Sequence, residues 1–247
     1  MTNSLAETAV ALNGAFPDLA PTERLALLRR RVPGRITFST SFGAEDQAIT
    51  HLIAEAGLDV ALVTLDTGRL FPETYEVWAE TERRYGLRIR AFYPDTAALE
   101  TLVAESGIAG FYGGVASRTA CCDVRKSAPL QRALAGASAW ITGLRADQSE
   151  HRRELDFVGY DPARGLIKAN PLFDHTRQDV AAFVTAHDVP LNRLHERGFL
   201  SIGCAPCTRA TRPGEPERAG RWWWENDDRR ECGLHVAPDG RLVRAAP

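Results

Sequence analysis

Short apolar runs rich in β-branched residues alternate along this chain with helix-like stretches, and that alternation restricts the fold more than any other feature. "RITFSTSF" (35–42) is followed by "AEDQAITHLIAEAG", "DVALVTLDT" (59–67) by "FPETYEVWAETERRYG", and "LRIRAFYP" by "DTAALETLVAESG". The apolar runs suit strands covered on both faces, as in a parallel sheet. "ASAWITGLR" (137–145) and "GLIKANPLF" (165–173) extend the series, and in "TRQDVAAFVTAHD" Thr176 is placed to cap a further helix. The expectation is an α/β domain with a doubly wound, mostly parallel sheet and right-handed crossovers.

Residues 1–34 read as a peripheral helical segment, with Leu25, Leu27 and Leu28 set among charges before a Pro33-Gly34 break. The α/β domain is expected over 35–207. From Thr208 to Arg230 the chain carries six arginines, five acidic residues, Pro213, Pro216 and three consecutive tryptophans, Trp222 to Trp224. No strand or helix period runs through it, so 208–247 is expected to be a C-terminal extension, mobile until it docks.

Composition narrows the class. A formal net charge of −2 over 247 residues argues against a general nucleic-acid binder, which needs a basic excess to displace counterions from phosphates. No apolar run reaches the roughly 18 residues of a membrane span, and the opening residues lack a basic region and include Glu7. A cytoplasmic protein is expected, and a homo-oligomer is compatible with the sequence. Five cysteines, an odd number, do not resemble a secreted disulfide framework. In a reducing compartment, clustered cysteines bind metal or do redox chemistry.

"STSFGAEDQ" falls where the first strand meets its helix, a position at which open α/β sheets bind ligands and small residues let backbone amides approach a phosphate. It is neither a Walker A loop nor a dinucleotide fingerprint. An ordinary turn with an Asp46 or Ser41 hydrogen bond fits it equally. "LDTGRLFPET" (65–74) and "TGLRADQSEHRR" (142–153) also put Gly and polar residues at strand ends, and Arg145, Arg152 and Arg153 fall near the same edge of the sheet. That edge would suit an anionic ligand.

"SIGCAPCTRA" supplies Cys204 and Cys207 as a C-x-x-C pair, a spacing that fits zinc, an iron-sulfur cluster or a redox dithiol. A four-thiolate site needs two more ligands, and the adjacent Cys121 and Cys122 of "TACCDVRK" are the natural candidates. Neighbouring residues point about 100° apart on a helix and to opposite sides of a strand, so closing both thiolates on one zinc ion strains the backbone. A [4Fe–4S] cluster eases this, because each thiolate takes its own iron. Cys232, in "RRECGLHV", is left over. It is either a small buried apolar residue or a nucleophile, with Arg229, Arg230 and His235 favouring its thiolate and Glu231 opposing it.

"SFGAEDQ", "LDTGRLFPET", "CCDVRK", "TGLRADQS", "CAPCTR", "RWWWE" and "ECGLH", in that order across residues 35–236, closely resemble the assimilatory adenylyl-sulfate (APS) reductases, relatives of the PAPS reductases. The resemblance implies a fold of the adenine-nucleotide α-hydrolase (PP-loop) group. It also implies that Cys232 attacks the sulfur of APS, expels AMP and becomes an S-sulfocysteine. Thioredoxin or a similar dithiol donor then releases sulfite, a step toward cysteine biosynthesis.

Positive residues must offset the charge of the sulfate and phosphate. The matching positions are Lys126, Arg218 and Arg221, with Arg145 and Arg152 as further phosphate contacts. Ser41, Gly43, Leu65 and Gly143 would shape the adenosine pocket. One [4Fe–4S] cluster on Cys121, Cys122, Cys204 and Cys207 is implied in a structural and electrostatic role. Lys126 would link it to the substrate, and the extension would act as a lid for Cys232. The rival readings are a cluster-bearing PAPS reductase, a PP-loop ATP pyrophosphatase, for which an S-G-G-x-D-S loop is expected and absent, and a non-catalytic zinc or cluster module.

Overall fold

The structure, a computed structural model, describes residues 4–148, 152, 153 and 155–225. Cys232 lies outside the described residues. The strands are β1 (Arg35–Thr40), β2 (Ala61–Leu65), β3 (Arg90–Phe92), β4 (Ala137–Ile141), β5 (Val158–Asp161) and β6 (Leu166–Ala169). They form one six-stranded sheet in the order β3-β2-β1-β4-β6-β5. Every pairing in it is parallel except that of β5 with β6. The fold is the mostly parallel, doubly wound α/β arrangement that the alternation of segments predicts.

β1 ends at Thr40, two residues before the end of the 35–42 run, because Phe42 takes a left-handed backbone conformation with φ 61°. β5 adds an edge strand that the sequence does not announce: "VGYD" is short, has no alternation and carries a glycine. It pairs through a turn in which Gly165 donates to the Asp161 carbonyl at 2.8 Å and Asp161 also accepts from Arg164 at 2.7 Å.

The helices are α1 (Leu5–Ala15), α2 (Pro21–Arg31), α3 (Ala44–Glu55), α4 (Pro72–Tyr85), α5 (Thr96–Ser106), α6 (Val115–Cys122), α7 (Ala128–Leu134) and α8 (Arg177–Ala186). Thr176 caps α8 as expected, its hydroxyl accepting from the Asp179 amide while the Asp179 carboxylate accepts from the Thr176 amide. The main core joins Ile36 and Phe38 of β1, Ala139 and Ile141 of β4, and Ile167 of β6 to Ile49 and Ile53 of α3 and Val180 and Val184 of α8. The N-terminal segment, expected at the periphery, sends Ala9, Leu12, Leu25 and Leu28 into this same core. Residues 208–225 of the expected extension lie against the domain, with Thr208, Arg221, Trp222 and Glu225 buried. Among the described residues no helix is long and apolar enough to cross a membrane.

Two features of this scaffold position the site. The connections leaving β1 and β4 run to opposite sides of the sheet, so a crevice opens beyond their carboxyl ends, the place where such sheets bind ligands. The other feature is the junction between α6 and α7, a π-helical turn over Asp123–Ser127 in which the Ala128 amide donates to the Asp123 carbonyl. Pro129 follows at the start of α7 and has no N–H with which to continue the α-helical ladder, which accounts for the slip at this point. Cys121 and Cys122 close α6 and Lys126 lies within the turn.

Candidate active site

The loop after β1 is built on Ser41 and Asp46. The Ser41 amide and hydroxyl both donate to Oδ2 of Asp46, at 2.6 and 2.8 Å. Burial pushes the Asp46 carboxyl up from 3.8 to about 6; the two Ser41 hydrogen bonds oppose that rise and the neighbouring Glu45 charge adds to it. Phe42 holds its left-handed conformation by donating its amide to the Thr40 hydroxyl at 3.0 Å and stacking on Trp78 with ring centroids 5.6 Å apart. Such a backbone costs about 1–3 kcal/mol in a non-glycine residue, which the surrounding packing must supply. At Gly143, beyond β4, a Cβ would stand 2.3 Å from Asp46 Oδ1, so glycine is what lets the β4 loop meet the β1 loop. Gly43 differs: its φ is ordinary and a Cβ would meet no atom closer than 3.7 Å, so nothing in the protein itself demands glycine there.

These loops wall a cavity of about 320 Å³. Ser41, Gly43, Leu65, Gly143, Lys126, Arg152, Arg218 and Arg221, eight of the nine residues expected to touch substrate, all lie on it. Arg152 is buried and bonds to Gln148, whereas its neighbour Arg153 is exposed, and it is Arg152 that reaches the cavity.

Arg145 is the exception. It lies off the cavity wall and is fully buried, with Nε donating to Glu45 at 2.7 Å, Nη1 to Asp147 at 3.1 Å and Nη2 to Glu217 at 2.9 Å. Burial works against its charge, but Glu45 and Glu217 outweigh it and raise the guanidinium's pKa. Three carboxylates leave this cation no unmet charge to offer a phosphate. The structure thus places Arg145 away from the cavity that the other expected contacts line, where it ties the β1 loop, through Glu45, to the segment before Arg218, through Glu217.

The four cysteines border a second, smaller cavity together with Arg69, Arg118, Arg125 and Lys126. Cys122, Cys204 and Cys207 are buried, Cys121 is half-buried, and all four are free thiols. Among the described residues no three His, Cys, Asp or Glu side chains gather around a single ion position. The thiols surround a space rather than a point. Burial opposes ionisation of Cys204, but Lys126, the Thr67 hydroxyl at 3.3 Å, Arg221 and Arg125 prevail and lower its pKa. Cys207 is pushed up to about 12 by its burial and by the Cys204 charge. Polythiolate sites carry negative charge, and the ring of guanidinium and ammonium groups is the counterpart such charge requires.

Lys126 and Cys204 line both cavities, and so form the wall between them. The "LDTGR" turn braces that wall: the Thr67 carbonyl accepts from Arg125 at 2.6 Å, and the Arg69 carbonyl accepts from the Ala205 amide at 2.8 Å. Arg221 reaches the wall from the far side, donating to the Ile202 carbonyl at 3.2 Å. Its Nη2 lies where a Cβ on Gly203 would be, 2.2 Å away, so Gly203 is the residue that admits it.

Residues 35–210 match the phosphoadenosine phosphosulfate reductase domain. The chain belongs to this family. A reductase-domain relative from Sinorhizobium fredii (strain USDA 257), named adenosine 5'-phosphosulfate reductase, is 53% identical over 96% of this chain and 94% of its own length. One of the same name from Allochromatium vinosum is 54% identical over 88% of this chain and 85% of its own. The crystal structure of phosphoadenylyl-sulfate (PAPS) reductase from Candida auris, in a phosphate complex, superposes with a TM-score of 0.70 at 25% identity, covering 81% of this chain and 96% of that one.

This member of the reductase family places further residues at the site that its motifs do not announce. Gly203 and Glu217 act through the arginines they accommodate. His195 lies on the larger cavity with Nδ1 bound to the Phe199 carbonyl at 2.8 Å, leaving a buried Nε2 with no hydrogen-bond partner among the described residues. Its burial lowers its pKa, opposed by the Phe199 hydrogen bond and the Glu45 charge. "RLHERGF" gives no periodic or motif signal for it.

Proposed function

We propose that this protein reduces APS to sulfite and AMP, with Cys232 as nucleophile and a dithiol such as thioredoxin as the source of electrons. The observation that carries the reading is the shared wall: a nucleotide-sized cavity at the sheet edge and a four-thiol site meet at Lys126 and Cys204. The relatives' name supports the substrate.

In the first stage the Cys232 thiolate forms an S–S bond to the sulfate sulfur of APS while the S–O bond to AMP breaks, and the electron pair leaves on the AMP phosphate oxygen. Lys126, Arg218 and Arg221 lie on the cavity wall where positive charge would offset the repulsion between thiolate, sulfate and phosphate. In the second stage a thiolate of the donor attacks the Cys232 sulfur, and sulfite departs with the electron pair of the broken S–S bond. The donor's other thiol then resolves the mixed disulfide. The net change is sulfate-level sulfur to sulfite against dithiol to disulfide, and the Cys232 thiol is regenerated.

Cys121, Cys122, Cys204 and Cys207 are suited to one [4Fe–4S] cluster, since four thiols surround one space and four cations line it. Bound there, the cluster would supply a fixed negative body that holds Lys126 and Arg221 toward the substrate. Lys126 would transmit its presence across the shared wall.

The deciding experiment is anaerobic purification, iron analysis, and assay of sulfite release from APS and from PAPS with reduced thioredoxin. Iron-containing protein that turns over APS is the expected result. Colourless protein without sulfite production contradicts the reading, and turnover of PAPS alone reassigns the substrate. Cys232→Ser is expected to keep iron and AMP binding and to form no sulfo-enzyme adduct.

A further inference from the structure

The four-thiol site and the start of the segment leading to Cys232 are tied by contacts that the chemistry above does not use. The Trp222 amide donates to the Cys207 carbonyl at 3.0 Å, and Thr208 pairs with Arg221 as an isolated antiparallel bridge. From the other cysteine pair, Arg118 of α6 meets Glu225 in a two-pronged ion pair, Nε to Oε1 at 2.9 Å and Nη2 to Oε2 at 3.0 Å. Both side chains are almost wholly buried, at 5% and 2% exposure. Arg118 also interacts with Cys122, and its guanidinium lies 4.6 Å from the centre of the Trp222 ring. Each cysteine pair therefore has its own route to residues 222–225: Cys207 through the backbone, Cys122 through Arg118.

We propose that Arg118 and Glu225 form a latch that fixes the base of the Cys232-bearing segment to the cysteine helix, so that delivery of Cys232 to substrate depends on an intact four-thiol site. The inference rests on the reading of Cys232 as the nucleophile. A buried ion pair with two parallel bonds fixes distance and angle together, and losing one partner strands the other charge without water. Cys232 stands seven positions beyond Glu225, so about 25 Å of fully extended chain is the most that can separate them. A fixed base confines the thiolate to a small volume and raises its effective concentration at the bound sulfate. Arg118 and Glu225 are positioning residues, since they act through the segment they hold.

The test uses the full-length, anaerobically purified enzyme with Arg118→Met and Glu225→Gln. Three quantities are compared with wild type: affinity for AMP, the single-turnover rate of adduct formation on Cys232, and the rate at which chymotrypsin cleaves after Trp222 to Trp224. The latch requires AMP affinity within about threefold of wild type, adduct formation slowed about tenfold or more, and faster cleavage, with Glu225→Gln affected less because the amide keeps a hydrogen bond. Iron removal from wild type should speed cleavage at the same tryptophans. Wild-type adduct rate and cleavage in both variants, or cleavage indifferent to iron, overturns the latch. Should Arg118→Met lose iron through its contact with Cys122, Glu225→Gln decides alone. If wild type forms no adduct on Cys232, the nucleophile reading fails, and the cleavage measurements still decide the latch.

Discussion

The two cavities that meet at Lys126 are built by different means. The larger cavity stands on strand ends: β1, β2 and β4 deliver Ser41, Leu65 and Gly143 to one crevice, and backbone pairing in the sheet sets their spacing. The four-thiol cavity has no strand under it. Its walls are the end of α6, a π-helical turn, a 3-10 turn over Ala205–Cys207 and the segment around Trp222, cross-linked by Arg118, Arg125 and Arg221. A sheet edge keeps its shape without ligand. A site made of turns and buried cations keeps its shape only while the charges it was assembled around remain. The strand-end cavity should therefore tolerate local substitution, and the thiol cavity should fail as a unit.

The sharpest way to break that contrast is Cys204→Ser. It should abolish iron retention and lower the unfolding midpoint by roughly 5 °C or more, since metal binding energy is folding energy, whereas Ser41→Ala should leave iron unchanged and lower the midpoint less, by the loss of its one hydroxyl hydrogen bond to Asp46. Iron content and calorimetry of the two variants decide it.

Next in size is Lys126→Met, which removes the positive charge on the shared wall. Adduct formation should fall about a hundredfold while AMP affinity changes little, because the missing charge acts where sulfate and thiolate meet. An equal loss in both would make Lys126 a nucleotide contact only.

Gly203→Ala should push Arg221 from its place and weaken APS binding about tenfold, or about 1.4 kcal/mol, with iron retained. Titration calorimetry with the Cys232→Ser protein measures it directly.

The last prediction concerns the strand-end cavity alone and is read as a slope with pH. Asp46 has its folded-state pKa raised to about 6, so folded protein holds this proton more tightly than unfolded protein. Its contribution is present below about pH 4, is lost as pH rises toward 6, and is constant above that. Asp46→Asn should flatten this decline and add up to about 3 kcal/mol at pH 7, less whatever the Ser41 hydrogen bonds lose. Denaturant titrations between pH 4 and 7 give the slope.

The same contrast explains what the sequence made legible. Strands such as "DVALVTLDT" announce themselves because burial on both faces needs continuous apolar residues, and the loops at their ends can then be assigned to one edge of the sheet. Ser41, Leu65 and Gly143 were accessible by that route. The pairing of Cys121 and Cys122 with Cys204 and Cys207, over 80 positions away, was accessible through donor count and spacing, and the four line one cavity. Charged side chains were not legible in this way. Arg145 and Arg152 look alike in "TGLRADQSEHRR", yet one is enclosed by Glu45, Asp147 and Glu217 and the other reaches the cavity. Long-range ion pairs leave no periodic trace, which is also why Arg118 and Glu225, 107 positions apart, and Gly203 beneath Arg221 escaped the sequence. β5 was missed because a four-residue edge strand with glycine carries too little pattern.

The most direct measurement is a single turnover without reductant: anaerobic enzyme is mixed with APS, AMP is quantified, and the protein is digested and its cysteine peptides are weighed. One AMP released per chain, one SO₃ group on the Cys232 peptide, and iron unchanged on the other four cysteines is the expected result. AMP release without an adduct, or an SO₃ group on Cys121, Cys122, Cys204 or Cys207, would contradict the division between four binding thiols and one reacting thiol.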